Sequence, residues 1–167
     1  MLGSSVVRGC HTPVARSTVI PTDDDLIIQQ AIAILEHRLF QRGPRLSGPK
    51  DVCAFLRLQL VAQEHEVFAA VFLDSQHQVL AYERLFQGSI DITTVYPRVI
   101  LKRALEHGAS AVVLCHNHPS GDTQPSAADR RLTEHVQTVL QLIEVRLLDH
   151  LIIGKGQPYS FAESGLI

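Results

Sequence analysis

From Asp23 onward the apolar positions recur at helical spacing: Leu26, Ile27, Gln30, Ala31, Ile34 and Leu35 follow the three acids Asp23, Asp24 and Asp25. Acids in a first turn complement the positive end of a helix, so the pattern predicts a helix that ends near Arg42. The segment GPRLSGPK (43–50) holds two glycines and two prolines and separates it from a second helix. Ser47 or Gly48 before Pro49 supplies the start of that helix, which should run through Gln63. After Glu66 the period changes to two. VFAAVFL is apolar on both faces, as a strand covered on both sides must be, and Asp74 to Gln78 form a turn into VLAYERLF. The two strands predict a β-hairpin.

Tyr96-Pro97 opens a further helix that should bury Ile100, Leu101, Ala104 and Leu105 and close at Gly108. ASAVVLC is then a short buried strand, and HNHPSGDTQPS is the polar loop by which the chain leaves the sheet. A helix begins at Ser126 with Leu132, Val136, Val139, Leu140 and Ile143 on one stripe. It is followed by the strand VRLLDHLIIG and a last short strand around Tyr159 to Ala162. This order predicts one mixed sheet flanked by helices, an α/β or α+β fold in three layers. Residues 1–22 carry Arg8 and Arg16 without an acid and are broken by Gly3, Gly9, Pro13 and Pro21; they are expected to be a disordered tail. Residues 23–46 form an N-terminal helix and linker, and 47–167 the main domain.

Composition narrows the function classes. With 167 residues and 46% hydrophobic against 19% charged, the chain can bury a core, and a disordered or fibrous protein is excluded. Fifteen Lys and Arg against seventeen Asp and Glu provide no cationic stripe for a nucleic acid. Cys10, Cys53 and Cys115 form no C-x-x-C pair and no even disulfide set, which fits a reducing, cytoplasmic setting. No apolar window approaches the roughly 18 residues that span a membrane, so a membrane partner is not expected.

The polar loop holds the chemistry. His116 and His118 stand two apart at a strand end, so their imidazoles project to one side. Pro119 biases His118 toward extended dihedrals, and Gly121 permits the turn back toward the next helix. Asp129, in the first turn of that helix, shares the stripe of Leu132, Val136 and Val139 and should point inward. An inward carboxylate is costly to ionise alone, and a divalent metal held by His116, His118 and Asp129 resolves that cost. Three protein ligands with a fourth position left to water are the open zinc arrangement, in which the pKa of water falls to about 7. Manganese or iron could load the same donors. A plainer reading stands beside this one: Ser126 and Asp129 are spaced as a capping box, whose atoms satisfy free backbone N–H groups. Cys115, next to His116, should face the opposite side as a structural thiol. Asp149 and His150 interrupt an apolar strand, either supporting the site or hydrogen-bonded within the core. Arg98, Lys102, Arg103, Arg130 and Arg131 fit either an anion-binding face or a solvated one. The deaminase pattern fails, since there is no C-x-x-C.

His116-Asn117-His118-Pro119 followed by Pro125-Ser126-Ala127-Ala128-Asp129 matches H-x-H-x10-D, the metal-binding half of the JAMM motif. LDSQHQVLAYERLFQGSID, YPRVILKRALEHGASAVVLCHNHPSGDTQPSAADRRLT, LLDHLIIG and SFAESGLI resemble the RadC-like branch of the JAB/MPN superfamily, over roughly residues 47 to 167. The resemblance implies a JAB/MPN fold of the cytidine-deaminase-like kind, a curved sheet between helices. It also implies one Zn2+ per chain and a metalloprotease-type hydrolase acting on peptide or isopeptide bonds in a protein or peptide substrate. By the same resemblance Ser126 matches the motif serine that stabilises the tetrahedral intermediate. The general acid/base glutamate falls on Glu66, before VFAAVFLD, with Glu64 as its alternative on the same strand face and Glu83 as a more distant, solvent-facing candidate. Asn117 stands where deubiquitinating relatives have Ser or Thr. Longer RadC proteins carry a helix-hairpin-helix module linked with DNA; the 46 residues before the JAB-like part hold no G-x-G hairpin on a basic background, so that module is not expected within them. A metal-stabilised interaction module and a DNA-repair-associated factor are the competing functions.

Overall fold

A computed structural model describes residues 22–40, 49–88 and 95–167. The tail expected at 1–22 lies outside the described residues except for Thr22, and so do residues 41–48 of the linker and 89–94. The described elements are α1 (Asp23–Phe40), α2 (Pro49–Leu60), β1 (Val67–Leu73), β2 (Val79–Gln87), α3 (Pro97–Glu106), β3 (Ala111–Asn117), α4 (Ala127–Gln141), β4 (Arg146–Ile153) and β5 (Tyr159–Ser160). Their order is the expected one. α2 ends at Leu60 instead of Gln63, because residues 61 and 62 turn away. β5 is shorter than expected, since the chain after Ser160 enters a turn.

The strands form one open sheet in the order β2-β1-β3-β4-β5. β1 runs antiparallel to β2 and to β3, β3 and β4 are parallel, and β5 returns antiparallel to β4. β1 and β3 are buried throughout, as their unbroken apolar runs require of strands covered on both faces. Alternation then sorts their side chains. Val67, Ala69, Val71, Val113 and Cys115 pack with Phe55, Leu56 and Leu60 of α2 on one face. Phe68, Ala70, Phe72, Val112 and Leu114 pack with Ile100 and Ala104 of α3 and Val136 and Leu140 of α4 on the other. The result is a three-layer α+β architecture, and it sets His116 on the α4 side, away from the Cys115 thiol.

Two faces differ from expectation. In α1 the residues turned to the core are Ile28, Ile32 and Leu35, whereas Leu26, Ile27 and Ile34 are exposed. Its sequence is apolar around most of its circumference and so carries no clear stripe. In α3, Leu105 is exposed, and the buried positions are Ile100 and Ala104.

The β3-α4-β4 crossover determines where a site can form. Parallel neighbours need a long connection, and the loop after β3 must return over the carboxyl end of the strands before α4 begins. The loop is tied to β4 by hydrogen bonds from His118 N to the Ile153 carbonyl (2.9 Å) and from Lys155 N to the Gly121 carbonyl (3.1 Å). Gly121 turns the chain at φ 87°, a left-handed conformation that glycine adopts freely. Gly154 permits the close approach: a Cβ there would stand 2.5 Å from the Gly121 carbonyl oxygen and 2.7 Å from Thr123 Cγ2.

Gly154→Ala therefore forces the His118 loop away from β4 and should destabilise the fold by roughly 1–3 kcal/mol, as overpacking does. Gly156→Ala meets nothing within 4 Å and is the matched control. Urea unfolding of both variants checks this, and equal stabilities would contradict the close-approach argument.

Candidate metal centre

Strand alternation and the α4 start bring His116, His118 and Asp129 together. His116 Nε2 lies 2.9 Å from His118 Nε2 and 3.5 Å from Asp129 Oδ1, and His118 Nε2 lies 3.7 Å from Asp129 Oδ2. Donors about 2.0–2.1 Å from a tetrahedral ion stand about 3.3 Å apart, so these separations fit one small cation. His116 is at the buried end, with 1% of its side chain exposed, while His118 and Asp129 keep 19% and 15% and form the open rim.

The chemistry of the donors agrees with the distances. His118 Nδ1 lies 2.8 Å from the Asp122 carbonyl oxygen, which can only accept, so Nδ1 carries the proton and the neutral ring presents a bare Nε2 to the cluster. That lone pair and an aspartate carboxylate converge on one point. Burial pushes the His116 imidazole down to about 4, the Asp129 carboxylate opposing the shift and His118 adding to it. At neutral pH this ring is therefore an uncharged candidate ligand, and a divalent cation satisfies the converging acceptors together.

Ser126 and Asp129 do form the capping box. The Asp129 N–H donates to Ser126 Oγ (3.1 Å), and Asp129 Oδ2 accepts from the Ser126 N–H (2.7 Å) and from its hydroxyl (2.6 Å). The two readings of this pair are compatible, because the cap contacts fall on Oδ2, which also lies nearest His118, and leave Oδ1 toward His116. Oδ2 serves the cap, and the cap fixes the carboxylate so that Oδ1 is the oxygen nearer His116.

Around the ligand candidates lies a shell that sequence reasoning left open or missed. His116 Nδ1 is 2.9 Å from His150 Nε2, and His150 Nδ1 is 2.7 Å from Thr133 Oγ1. The Thr133 hydroxyl lies 2.6 Å from the Asp129 carbonyl oxygen. Phe68 stacks on His116, and Phe161 stacks on His150. His150 thus belongs with the cluster, its imidazole held well below the usual value by burial and by His116 and His118. Asp149 is structural: Oδ1 accepts from the His150 and Ala162 N–H groups and Oδ2 from the Ser160 hydroxyl, tying β5 to β4. Thr133 was missed, although it lies one turn beyond Asp129 on the buried stripe with Val136 and Leu140.

Asn117 has a structural use that sequence reasoning did not find. Its Oδ1 accepts from the Val67 N–H (2.8 Å) and its Nδ2 donates to the His65 carbonyl (3.0 Å), fastening the approach to β1. Phe68 pairs with His116 at the end of the antiparallel β1/β3 ladder, and Glu66 stands just before β1, half-buried, its carbonyl accepting from the Gly88 N–H. The alternation argument for Glu64 does not apply. Residues 64 and 65 form a bend before the strand, and Glu64 is exposed. Glu83 is not solvent-facing: on β2 its carboxylate pairs with Arg103 and accepts from His107 Nε2 (2.8 Å). The Arg103 guanidinium holds it below the usual carboxylate range, against partial burial. Arg103 and Lys102 are engaged with Glu106 as well, so two of the five candidate anion-binding cations are already paired.

The sequence model of the RadC-like JAB domain matches residues 46–166. The chain belongs to the RadC-like JAB domain family. It is 52% identical over 141 residues to a UPF0758 protein of Pseudomonas fluorescens Pf-5, covering 84% of this chain and 62% of that protein. It is 47% identical over 144 residues to UPF0758 protein YkfG of Escherichia coli K12, covering 86% of this chain and 91% of YkfG. A UPF0758 protein of Vibrio cholerae is 45% identical over 139 residues, which are 83% of this chain and 87% of that protein. The chain thus spans about three-fifths of the Pseudomonas relative and nearly all of the two shorter ones. Among the described residues of this RadC-like JAB domain protein, no helix is long and apolar enough to cross a membrane.

Removing the Asn117 carboxamide leaves the buried Val67 N–H without its acceptor. Asn117→Ala should cost roughly 1–3 kcal/mol of stability. Asn117→Asp, which keeps the acceptor but turns a carboxylate oxygen toward the His65 carbonyl, should be destabilised too. Thermal or urea unfolding measures both, and wild-type stability in either would contradict the fastening role.

Proposed function

We propose that this chain is a zinc-dependent hydrolase of the JAMM type that cleaves amide bonds, in peptides or isopeptides, in the cytoplasm. The observation that carries the reading is the convergence of His116 Nε2, His118 Nε2 and the Asp129 carboxylate within 3.7 Å of one another, at a half-open strand end. His116, His118 and Asp129 would hold the metal. Zinc supplies Lewis acidity there and lowers the pKa of water to about 7.

The chain's own residues account for the remaining steps. Glu66, half-buried just before β1 and two residues from Phe68, which pairs with His116, is the group that takes a proton from the attacking water and gives it to the departing nitrogen. Ser126 supplies a hydroxyl to the oxyanion; to do so it turns its proton away from Asp129 Oδ2, while its oxygen still accepts from the Asp129 N–H. The same hydroxyl contact favours a second reading, a metal-stabilised interaction module without turnover, in which Ser126 only caps α4.

Elemental analysis of protein purified without chelator and then given limiting zinc tests the metal. About one zinc per chain is expected in wild type and none in Asp129→Ala; no zinc in either contradicts the metal reading. Glu66→Gln separates the two functions. It should retain zinc and lose about 100- to 10,000-fold in peptide or isopeptide turnover, the usual weight of a general acid/base. Full activity in that variant removes Glu66 from the mechanism. A metal-loaded wild type that cleaves nothing across a broad peptide library leaves the interaction module.

A further inference from the structure

We infer that His150 and Thr133 are positioning residues that lock His116 in the tautomer with its proton on Nδ1, and thereby keep Nε2 bare for a cation. The inference rests on the metal reading above only for its consequence; the tautomer itself follows from hydrogen-bond direction.

The direction can be traced from one end. The Asp129 carbonyl oxygen can only accept, and Thr133 Oγ1 lies 2.6 Å from it, a separation at which two oxygens repel unless a proton lies between them. The Thr133 hydroxyl proton is therefore committed to that carbonyl. Toward His150 Nδ1, 2.7 Å away, the Thr133 oxygen can then only accept, so Nδ1 of His150 is the protonated nitrogen. A neutral imidazole carries one N–H, which leaves His150 Nε2 as an acceptor. Across the 2.9 Å contact, His116 Nδ1 must donate to it. His116 Nε2 is consequently bare, and it faces the bare Nε2 of His118 and the Asp129 carboxylate.

The opposite setting is a real competitor. Were the chain reversed, His116 would carry its proton on Nε2 and donate it to His118 Nε2, also at 2.9 Å, and a cation would have to displace that hydrogen bond. Nothing in the local sequence of His116 selects between the two. The selection comes from a threonine on α4 and a histidine on β4, and the chain ends on the backbone of Asp129, itself a candidate ligand. Packing supports it: His150 is fully buried, stacked at 4.9 Å on Phe161 and edge-on at 5.5 Å to Phe68, contacts that hold its ring plane with Nδ1 toward Thr133 and Nε2 toward His116.

The test reads the tautomers directly, by long-range 1H–15N correlation spectra of metal-free wild-type protein at neutral pH. The expected pattern is His116 and His150 both protonated on Nδ1; His116 protonated on Nε2 overturns the inference. Thr133→Val, which keeps the shape and removes the hydroxyl, should move His116 toward the Nε2–H form and weaken zinc binding about 10- to 100-fold, measured against a chromophoric chelator. Thr133→Ser should restore both. An unchanged His116 tautomer in a folded Thr133→Val protein overturns the inference, whatever its zinc affinity. If wild type takes up no zinc at all, the metal reading fails separately, because the tautomers are read without metal.

Discussion

Acceptor groups do not gather of their own accord. Lone pairs on His116 and His118 and a carboxylate on Asp129 repel one another, and their approach to within 3.7 Å has to be imposed by the rest of the molecule. Each part of the imposition is identifiable. β3 is buried over its whole length and cannot shift; Phe68 stacks on the His116 ring; the His118 loop is held to β4 through Gly121 and Gly154; and the α4 cap fixes Asp129. A cation turns this unfavourable arrangement into a favourable one, which explains why so much of the local sequence serves to hold it.

Economy in the use of atoms recurs through the site. One carboxylate serves a helix cap with Oδ2 while Oδ1 approaches His116. The backbone carbonyl of the same residue ends the hydrogen-bond chain that runs through Thr133 and His150. Asn117, between the two histidines, points to the other side of β3 and fastens the segment that leads to Glu66. Neighbouring residues on one strand thus organise both the candidate metal donors and the candidate proton carrier, from opposite faces.

Much of this was legible in the sequence. Unbroken apolar runs mark β1 and β3, the proline and glycine positions mark the helix limits to within a few residues, and the spacing of His116, His118 and Asp129 points to a cluster. What escaped depends on contacts that no local pattern records. Which face of α1 turns inward is decided by packing against α2, because its own sequence is apolar nearly all round. Thr133 and His150 meet His116 only through the crossing of α4 over the β3/β4 pair. The start of β1 is a boundary that periodicity leaves uncertain; Asn117 fastens the segment before it, and residues 64 and 65 bend there, so strand alternation does not extend to Glu64.

The central claim, that two imidazoles and one carboxylate form a single cation site, is tested most directly by zinc-edge X-ray absorption on protein loaded with one equivalent of zinc. The account predicts a first shell of nitrogen and oxygen only, at about 2.0–2.1 Å, with the outer-shell scattering of two imidazoles. A sulfur shell near about 2.3 Å, or an Asp129→Ala spectrum identical to wild type, would contradict it.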